Sequence, residues 1–207
     1  MPPSIGKSAW SRSLAAAMNA PSLSIDAVAA STRFVIAGTE RGWSSARPGR
    51  PVQAILRHHH AGPVIVVDEA CKAASSHSTG GTRHNIQDSL LGLLEPVSAA
   101  HWECPHYRVR FDMSAISWIL TYNDFAKVPE PLLTRCAVIK CENLSHEELL
   151  SAGESMAEKA DLSAPSYDAA ITAIERTIIA IRRPMNLRDA QRIVQRGAAL
   201  QSKPMYN

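Results

Sequence analysis

The sequence lacks paired cysteines, long apolar runs and any marked excess of charge of one sign. Four cysteines are scattered without a C-x-x-C pair: Cys71, Cys104, Cys136 and Cys141. This spacing predicts reduced thiols in a cytoplasmic protein, with no metal site. No apolar run approaches the roughly 18 residues of a membrane span, and the N-terminus lacks the continuous apolar core of a signal peptide. We therefore expect no membrane association.

The charge balance argues against a nucleic-acid partner. The net charge is +3, and the basic residues are spread along the 207-residue chain without a clustered patch. The content of 45% hydrophobic and 20% charged residues is typical of a globular protein. This length fits one medium domain, alone or followed by a small one.

Hydrophobic patterns divide the chain into an α/β part and an all-α part. Predicted strands cover residues 22–26, 62–70, 115–124 and 137–141, and predicted helices cover 7–19, 51–60 and 84–96, with a short helix or turn at 129–135. The run Val64–Val67 indicates a buried parallel strand. From Leu144 onward the pattern is helical, which predicts a boundary near Glu142. We expect Trp10 and Trp118 in the core.

Residues 2–8, "PPSIGKS", contain the G-K-[ST] end of a phosphate-binding loop at the start of a helix. In such a loop the backbone N–H groups cradle phosphates. Lys7 would reach the β- and γ-phosphates, and Ser8 would ligate Mg²⁺. The loop therefore predicts an ATP–Mg²⁺ site, and the alternative interpretation is an ordinary lysine at a helix start.

The strand "VIVVDE" supplies the second half of such a site. It ends in Asp68 and Glu69, two acids directly after a buried run. Asp68 would hold Mg²⁺, directly or through water, and Glu69 would orient the attacking water. The alternative is a pair of solvated or ion-paired acids at the end of a strand. The two motifs together, in this order, favour nucleotide hydrolysis.

These motifs resemble the AAA+ ATPase module of Lon-type proteases over nearly the whole chain. The matching segments include "GTERGWSSARPGRPVQAI", "PVIVVDEACK", "SLLGLLEPVSAAHWECPHYRVRFDMS", "ILTYND", "VPEPLLTRCAVI" and "NLRDAQR". The resemblance implies an α/β P-loop NTPase core with a parallel sheet at residues 1–142. It also implies a small all-α lid domain at residues 143–207.

The resemblance also implies roles for individual residues. Asn123 is similar to sensor 1, which holds the attacking water, and Arg135 to the arginine finger given to a neighbouring subunit. Trp43 falls where the family has the pore-loop aromatic that grips polypeptide. The residues expected to bind nucleotide are the loop residues, the strand-end acid and a sensor 2 arginine: Pro3, Ser4, Ile5, Gly6, Lys7, Ser8, Asp68 and Arg188. A turn asparagine, a surface arginine and a packed tryptophan are the plainer alternatives.

The implied assembly is a homo-oligomer, usually a hexameric ring, that acts on unfolded polypeptide. The chain departs from the family at Met1 and Ser4, which replace two loop glycines, and at Ser44 in the pore loop. We expect the core to lack the strand that precedes the loop, leaving an open sheet position beside Val64–Val67. Only "QSKPMYN" follows the predicted lid, so we expect no peptide cleavage by these residues.

Two other functions stay open at this point. One is a degenerate AAA+ subunit that binds nucleotide or serves as a scaffold, with little or no hydrolysis. The other is an AAA+ protein of a clade that acts on DNA. The segment "GTERGWSSARPGR" and the dispersed basic residues favour the Lon-like module over the DNA-acting clade.

Overall fold

A computed structural model describes residues 5–27, 32–42, 46–70, 86–180 and 185–202. The chain divides into two compact units. The α/β unit is Lys7–Ile139, and the helical unit is Lys140–Asn207 together with Met1–Gly6. The predicted domain limits of 1–142 and 143–207 stay a prediction.

A parallel sheet lies at the centre of the α/β unit. Its strands within the described residues are β1 (Ser22–Asp26), β2 (Val64–Asp68) and β5 (Ser117–Leu120), in the order β1-β2-β5. Ser22 pairs with Val64, and Val64 pairs in turn with Ser117. Because β2 is paired on both edges and covered on both faces, Val64–Val67 are buried. The predicted α/β fold with a parallel sheet is confirmed.

Six α-helices, one 3₁₀ helix (Phe125–Lys127) and a hairpin accompany this sheet in the described part of the unit. The helices are α1 (Lys7–Ala17), α2 (Thr32–Ala37), α3 (Arg50–His58), α4 (Ile86–Leu94), α5 (Pro96–Ala100) and α6 (Glu130–Leu133). The antiparallel hairpin pairs β3 (Trp102–Cys104) with β4 (Val109–Phe111). The largest fully buried side chains of this unit come from the strands, the helices and the segment before β5: Ile25, Ile36, Val52, Val64, Ile65, Val67, Leu90, Met113 and Leu132.

The helical unit contains α7 (His146–Lys159), α8 (Ala164–Ala180) and α9 (Leu187–Gln201). Its apolar residues pack into a core of their own, which includes Leu149, Ile174 and Val194. A capping box begins α7, where Ser145 Oγ accepts from the Glu148 amide at 3.1 Å and Glu148 Oε2 accepts from the Ser145 amide at 2.7 Å. A second capping box, at Asn186, begins α9. The predicted helical C-terminal part is confirmed.

Three structural predictions are wrong. Residues 137–141 form no strand, and Val138 and Ile139 are exposed, because no described strand lies beside them to complete a hydrogen-bonded ladder. Trp10 is 50% exposed on the outer side of α1, whereas Trp118 packs against the main core. The expected open position beside Val64–Val67 is also wrong, since β1 and β5 occupy both edges of that strand.

None of the helices in the described ranges combines the length and the apolar character that a membrane crossing requires.

Candidate active site

The polar ends of three neighbouring elements form the candidate site. Lys7 and Ser8 begin α1, Asp68 ends β2, and residues 121–123 follow β5. Parallel strands bring their carboxyl ends to the same edge of a sheet, so side chains after β2 and β5 lie close together. The hydroxyl group of Ser11 is buried in α1 and donates to the Lys7 carbonyl at 2.9 Å, so this buried polar group has a partner.

Asp68 is held by hydroxyl groups on both of its carboxylate oxygens. Ser8 Oγ donates to Asp68 Oδ2 at 2.8 Å, and Thr121 Oγ1 donates to Asp68 Oδ1. Partial burial alone would raise the pKa of this carboxyl group. The bonds from Thr121, Ser8 and the Glu69 amide, with the charge of Lys7, outweigh burial and lower that pKa below its usual 3.8. Asp68 is therefore ionised at neutral pH.

Lys7 and Glu69 are joined through one amide side chain. Lys7 Nζ donates to Asn123 Oδ1 at 2.8 Å, and Asn123 Nδ2 donates to Glu69 Oε1 at 3.4 Å. Asn123 thus uses both ends of its amide, the acceptor toward the cation and the donor toward the acid. The structure therefore brings five predicted site residues into one cluster: Lys7, Ser8, Asp68, Glu69 and Asn123.

Two backbone conformations in this region depart from the common ones. Gly6, directly before Lys7, has φ +91°, which a glycine adopts without the steric penalty of a side chain. Glu69 has φ +53°, which is unusual for a residue with a side chain. Its amide donates to Asp68 Oδ1 and to Thr121 Oγ1, each at 3.1 Å. These bonds stabilise the left-handed turn after β2.

The contacts of Arg135 are with residues outside this cluster. Its Nε forms an ion pair with Glu95 Oε2 at 3.3 Å, and its Nη1 donates to the Pro131 carbonyl at 3.0 Å. The Arg135 side chain is about one-third exposed, at 32%. A partner outside this chain could therefore reach it, but its predicted role stays a prediction.

The remaining predicted residues are placed as follows. Arg188 is exposed in the first turn of α9, in the helical unit. Ile5 is half-buried before the glycine of the loop. Pro3, Ser4 and Trp43 lie outside the described residues. The roles predicted for all five stay predictions.

Sequence reasoning missed Thr121. The segment "LTYND" drew attention to Asn123 alone, although a hydroxyl residue two positions earlier on the same strand end was a usable signal. The side chain of Thr121 is almost fully buried and contacts both Asp68 and the Glu69 amide.

The donor set suits a magnesium ion beside phosphate groups. Ser8 Oγ and Asp68 Oδ2 are oxygen ligands, which Mg²⁺ prefers, and they lie 2.8 Å apart. Lys7 adds a positive charge that phosphate oxygens would attract. The groups present therefore fit a nucleotide with its metal ion.

Comparison with known proteins agrees with this arrangement. The model of the ATPase family associated with various cellular activities (AAA) matches residues 2–142. The chain belongs to the AAA family. Membership of this family implies nucleotide binding. The cluster around Lys7 and Asp68 lies within the matched residues.

Among AAA proteins, the chain is similar to Lon proteases. It is 30% identical over 149 residues to the Lon protease of Desulforamulus reducens, covering 72% of this chain and 18% of that protein. The Lon protease of Magnetococcus marinus is 32% identical over 139 residues, 67% of this chain and 17% of its own length. "Lon protease homolog 2, peroxisomal" from Oryza sativa subsp. japonica is 29% identical over 149 residues, with 72% and 16% covered.

The predicted resemblance to the ATPase module of Lon proteases is confirmed at this level. The chain spans less than a fifth of the length of these relatives. The family shown is therefore AAA, and the Lon proteases are proteins to which the chain is similar.

Proposed function

We propose that this chain binds ATP with Mg²⁺ and hydrolyses it, as the ATPase module of a Lon-like protein. The observation that carries the proposal is the hydrogen-bonded cluster in which Ser8 contacts Asp68 while Asn123 links Lys7 to Glu69. Packing and stability alone do not require a lysine, a hydroxyl group and two acids at one edge of the sheet.

The first half of the proposed task is binding. Lys7 and the backbone N–H groups of the loop would hold the phosphates, at the N-terminus of α1. Ser8 and Asp68 would hold Mg²⁺, which when bound neutralises charge on the phosphates. Arg188 would add a cation from the helical unit. The lowered pKa of Asp68 keeps this ligand ionised across the physiological range.

The second half is hydrolysis. Glu69 would accept a proton from the attacking water, and Asn123, already bonded to Glu69, would orient that water. Arg135 would stabilise negative charge on the phosphoryl group bound by a neighbouring copy of the chain. This arrangement requires a homo-oligomer, for which a hexameric ring is proposed.

The proposed work of the ring is translocation of unfolded polypeptide. The resemblance to Lon proteases supports this part, with Trp43 as the residue proposed to grip the polypeptide. The proposed location is the cytoplasm, although one relative is by name peroxisomal.

A pair of substitutions tests the proposal. Glu69→Gln keeps the shape of the side chain but removes the base, so ATP binding should persist while turnover is lost. Lys7→Ala removes the phosphate-binding cation, so ATP binding itself should be lost. Glu154→Gln and Lys159→Ala, at exposed positions of α7, are the matched controls and should change neither quantity.

The outcomes separate the possible functions. Binding measured by calorimetry that is unchanged in Lys7→Ala would overturn the nucleotide site. Undiminished turnover in Glu69→Gln would remove the catalytic assignment. Tight binding without turnover in the unsubstituted chain would instead favour a degenerate, nucleotide-binding AAA subunit, an alternative that the Met1 and Ser4 departures support.

A further inference from the structure

We infer that Thr121 is a positioning residue of the hydrolytic site, whose hydroxyl group fixes Asp68 and the backbone of Glu69 at the same time. This inference rests on the proposed ATPase function and adds to it a residue that the proposal above does not use.

The direction of each hydrogen bond follows from the chemistry of the groups. An ionised carboxylate only accepts, so the single hydroxyl proton of Thr121 must go to Asp68 Oδ1. A lone pair of the same oxygen is then available to accept from the Glu69 amide, at 3.1 Å. One hydroxyl therefore joins the proposed metal ligand to the residue that carries the proposed base.

The contact with Asp68 also selects the rotation of its carboxylate group. With Oδ1 bonded to Thr121, the other oxygen, Oδ2, faces Ser8 at 2.8 Å. This is the oxygen that stands beside the proposed Mg²⁺ position. Without the Thr121 hydroxyl, Asp68 Oδ1 would keep only the bond from the Glu69 amide, and the carboxylate would be freer to rotate.

The contact with Glu69 acts on the backbone. A left-handed conformation costs a residue with a side chain roughly 1–2 kcal/mol and persists only where the surroundings enforce it. At Glu69 the amide hydrogen bonds to Asp68 Oδ1 and Thr121 Oγ1 provide that enforcement. The direction in which the Glu69 side chain leaves the backbone therefore depends on Thr121.

Thr121 is itself well anchored. Its amide donates to the Val67 carbonyl at 3.0 Å, and its carbonyl accepts from the Ala70 amide at 3.1 Å. The residue is only 6% exposed, so its hydroxyl is held beside the end of β2 rather than sampling solvent. These backbone bonds remain when the side chain is replaced, which makes the hydroxyl separable from the fold.

The test compares Thr121→Val with Thr121→Ser. Valine keeps the shape and loses the hydroxyl, whereas serine keeps the hydroxyl and loses a methyl group. In Thr121→Val we expect kcat for ATP to fall about tenfold to a hundredfold, the range for losing a hydrogen bond to a charged group, while KM changes less than about threefold. Thr121→Ser should recover most of kcat. The assays use the full 207-residue chain, with thermal melts of each variant.

A second measurement does not depend on turnover. Hydrogen exchange of the Glu69 amide, followed by NMR without nucleotide, should be about tenfold faster in Thr121→Val and near the unsubstituted rate in Thr121→Ser. Equal exchange and equal kcat in Thr121→Val would overturn the inference. So would a loss of kcat in both variants that follows their melting temperatures, because that pattern indicates a packing role only.

The two proposals fail in different ways. If the unsubstituted chain hydrolyses no ATP, the proposed function fails, and the Glu69 exchange rates still decide whether Thr121 holds this backbone. If turnover requires Glu69 but ignores Thr121→Val, only the inference fails. Should Thr121→Val not fold, Thr121→Ala carries the same comparison, because it also removes the hydroxyl without adding volume.

Discussion

At the scale of single residues, the two adjacent acids are held in different ways. Asp68 receives hydroxyl donors on both oxygens, while Glu69 is reached by an amide donor from Asn123. The first arrangement favours the ionised form of Asp68. In the proposed function, Asp68 would hold Mg²⁺ and Glu69 would act as the base.

The lowered pKa of Asp68 predicts an acid-dependent loss of stability. Its folded pKa lies below the ordinary 3.8, so near that pH the unfolded chain binds more protons than the folded one. The stabilisation is complete well above pH 3.8 and is lost as the pH falls through the folded pKa. Urea unfolding at several pH values between 7 and 3 should show a free-energy difference between the unsubstituted protein and Asp68→Asn that shrinks toward acid.

The comparison with Asp68→Asn removes the contribution of every other titrating group. A free-energy difference that stays constant from pH 7 to pH 3 would contradict the assigned hydrogen bonds to Asp68.

Sequence motifs grouped Lys7, Ser8 and Asp68 although these positions are distant along the chain. The structure places the three side chains together, and their roles stay predictions. Thr121 could not be ranked above other hydroxyl residues, since a threonine at a strand end also serves turns and packing. The prediction for Trp10 was wrong because it used apolar character alone, which does not indicate which side of α1 faces the core.

At the scale of elements, the capping box of α7 offers a defined test. Ser145→Ala removes the acceptor for the Glu148 amide and should destabilise the chain by about 1 kcal/mol. Ser155→Ala, at an exposed position within the same helix, should be neutral or slightly stabilising, because alanine is the better helix former. Urea unfolding followed by far-ultraviolet circular dichroism would measure both, and equal effects of the two substitutions would argue against the cap.

Helices and the central strand were predictable because their signals are local. The run Val64–Val67 is buried as expected, and α7 to α9 lie where their periodicity indicates. Residues 137–141 have the same β-branched character without forming a strand, since a strand also needs a partner that no single segment specifies. The hairpin of β3 and β4 was missed because each strand is three residues long and β4 has two exposed positions.

At the scale of the whole molecule, Arg135 gives a prediction about assembly. If this side chain acts on the nucleotide of a neighbour, Arg135→Ala should lower turnover at least about a hundredfold while ATP affinity is kept. Turnover of the unsubstituted chain should rise more steeply than linearly with protein concentration. The loss should not reflect unfolding, because the Arg135–Glu95 pair is partly exposed and such pairs contribute about 1 kcal/mol or less.

Arg176→Ala, at an exposed position of α8, is the control and should retain full turnover. A monomeric species with full specific activity, shown by ultracentrifugation under assay conditions, would contradict the proposed assembly.

Contacting residues are close along the chain in the helical unit and far apart in the α/β unit, and this difference affects the order of folding. The helices α7, α8 and α9 follow one another closely along the chain, whereas Glu69 and Thr121, which meet beside the sheet, are 52 positions apart. Strands that are far apart along the chain must close a long loop before they can form stabilising contacts, and this makes their pairing slow. Parallel sheets are therefore expected to fold later than consecutive helices. In pulse-labelling hydrogen exchange, amides of α7 should become protected before those of β2. Until the sheet forms, the apolar run Val64–Val67 is exposed, and this is the interval in which a chaperone would protect the newly made chain from aggregation.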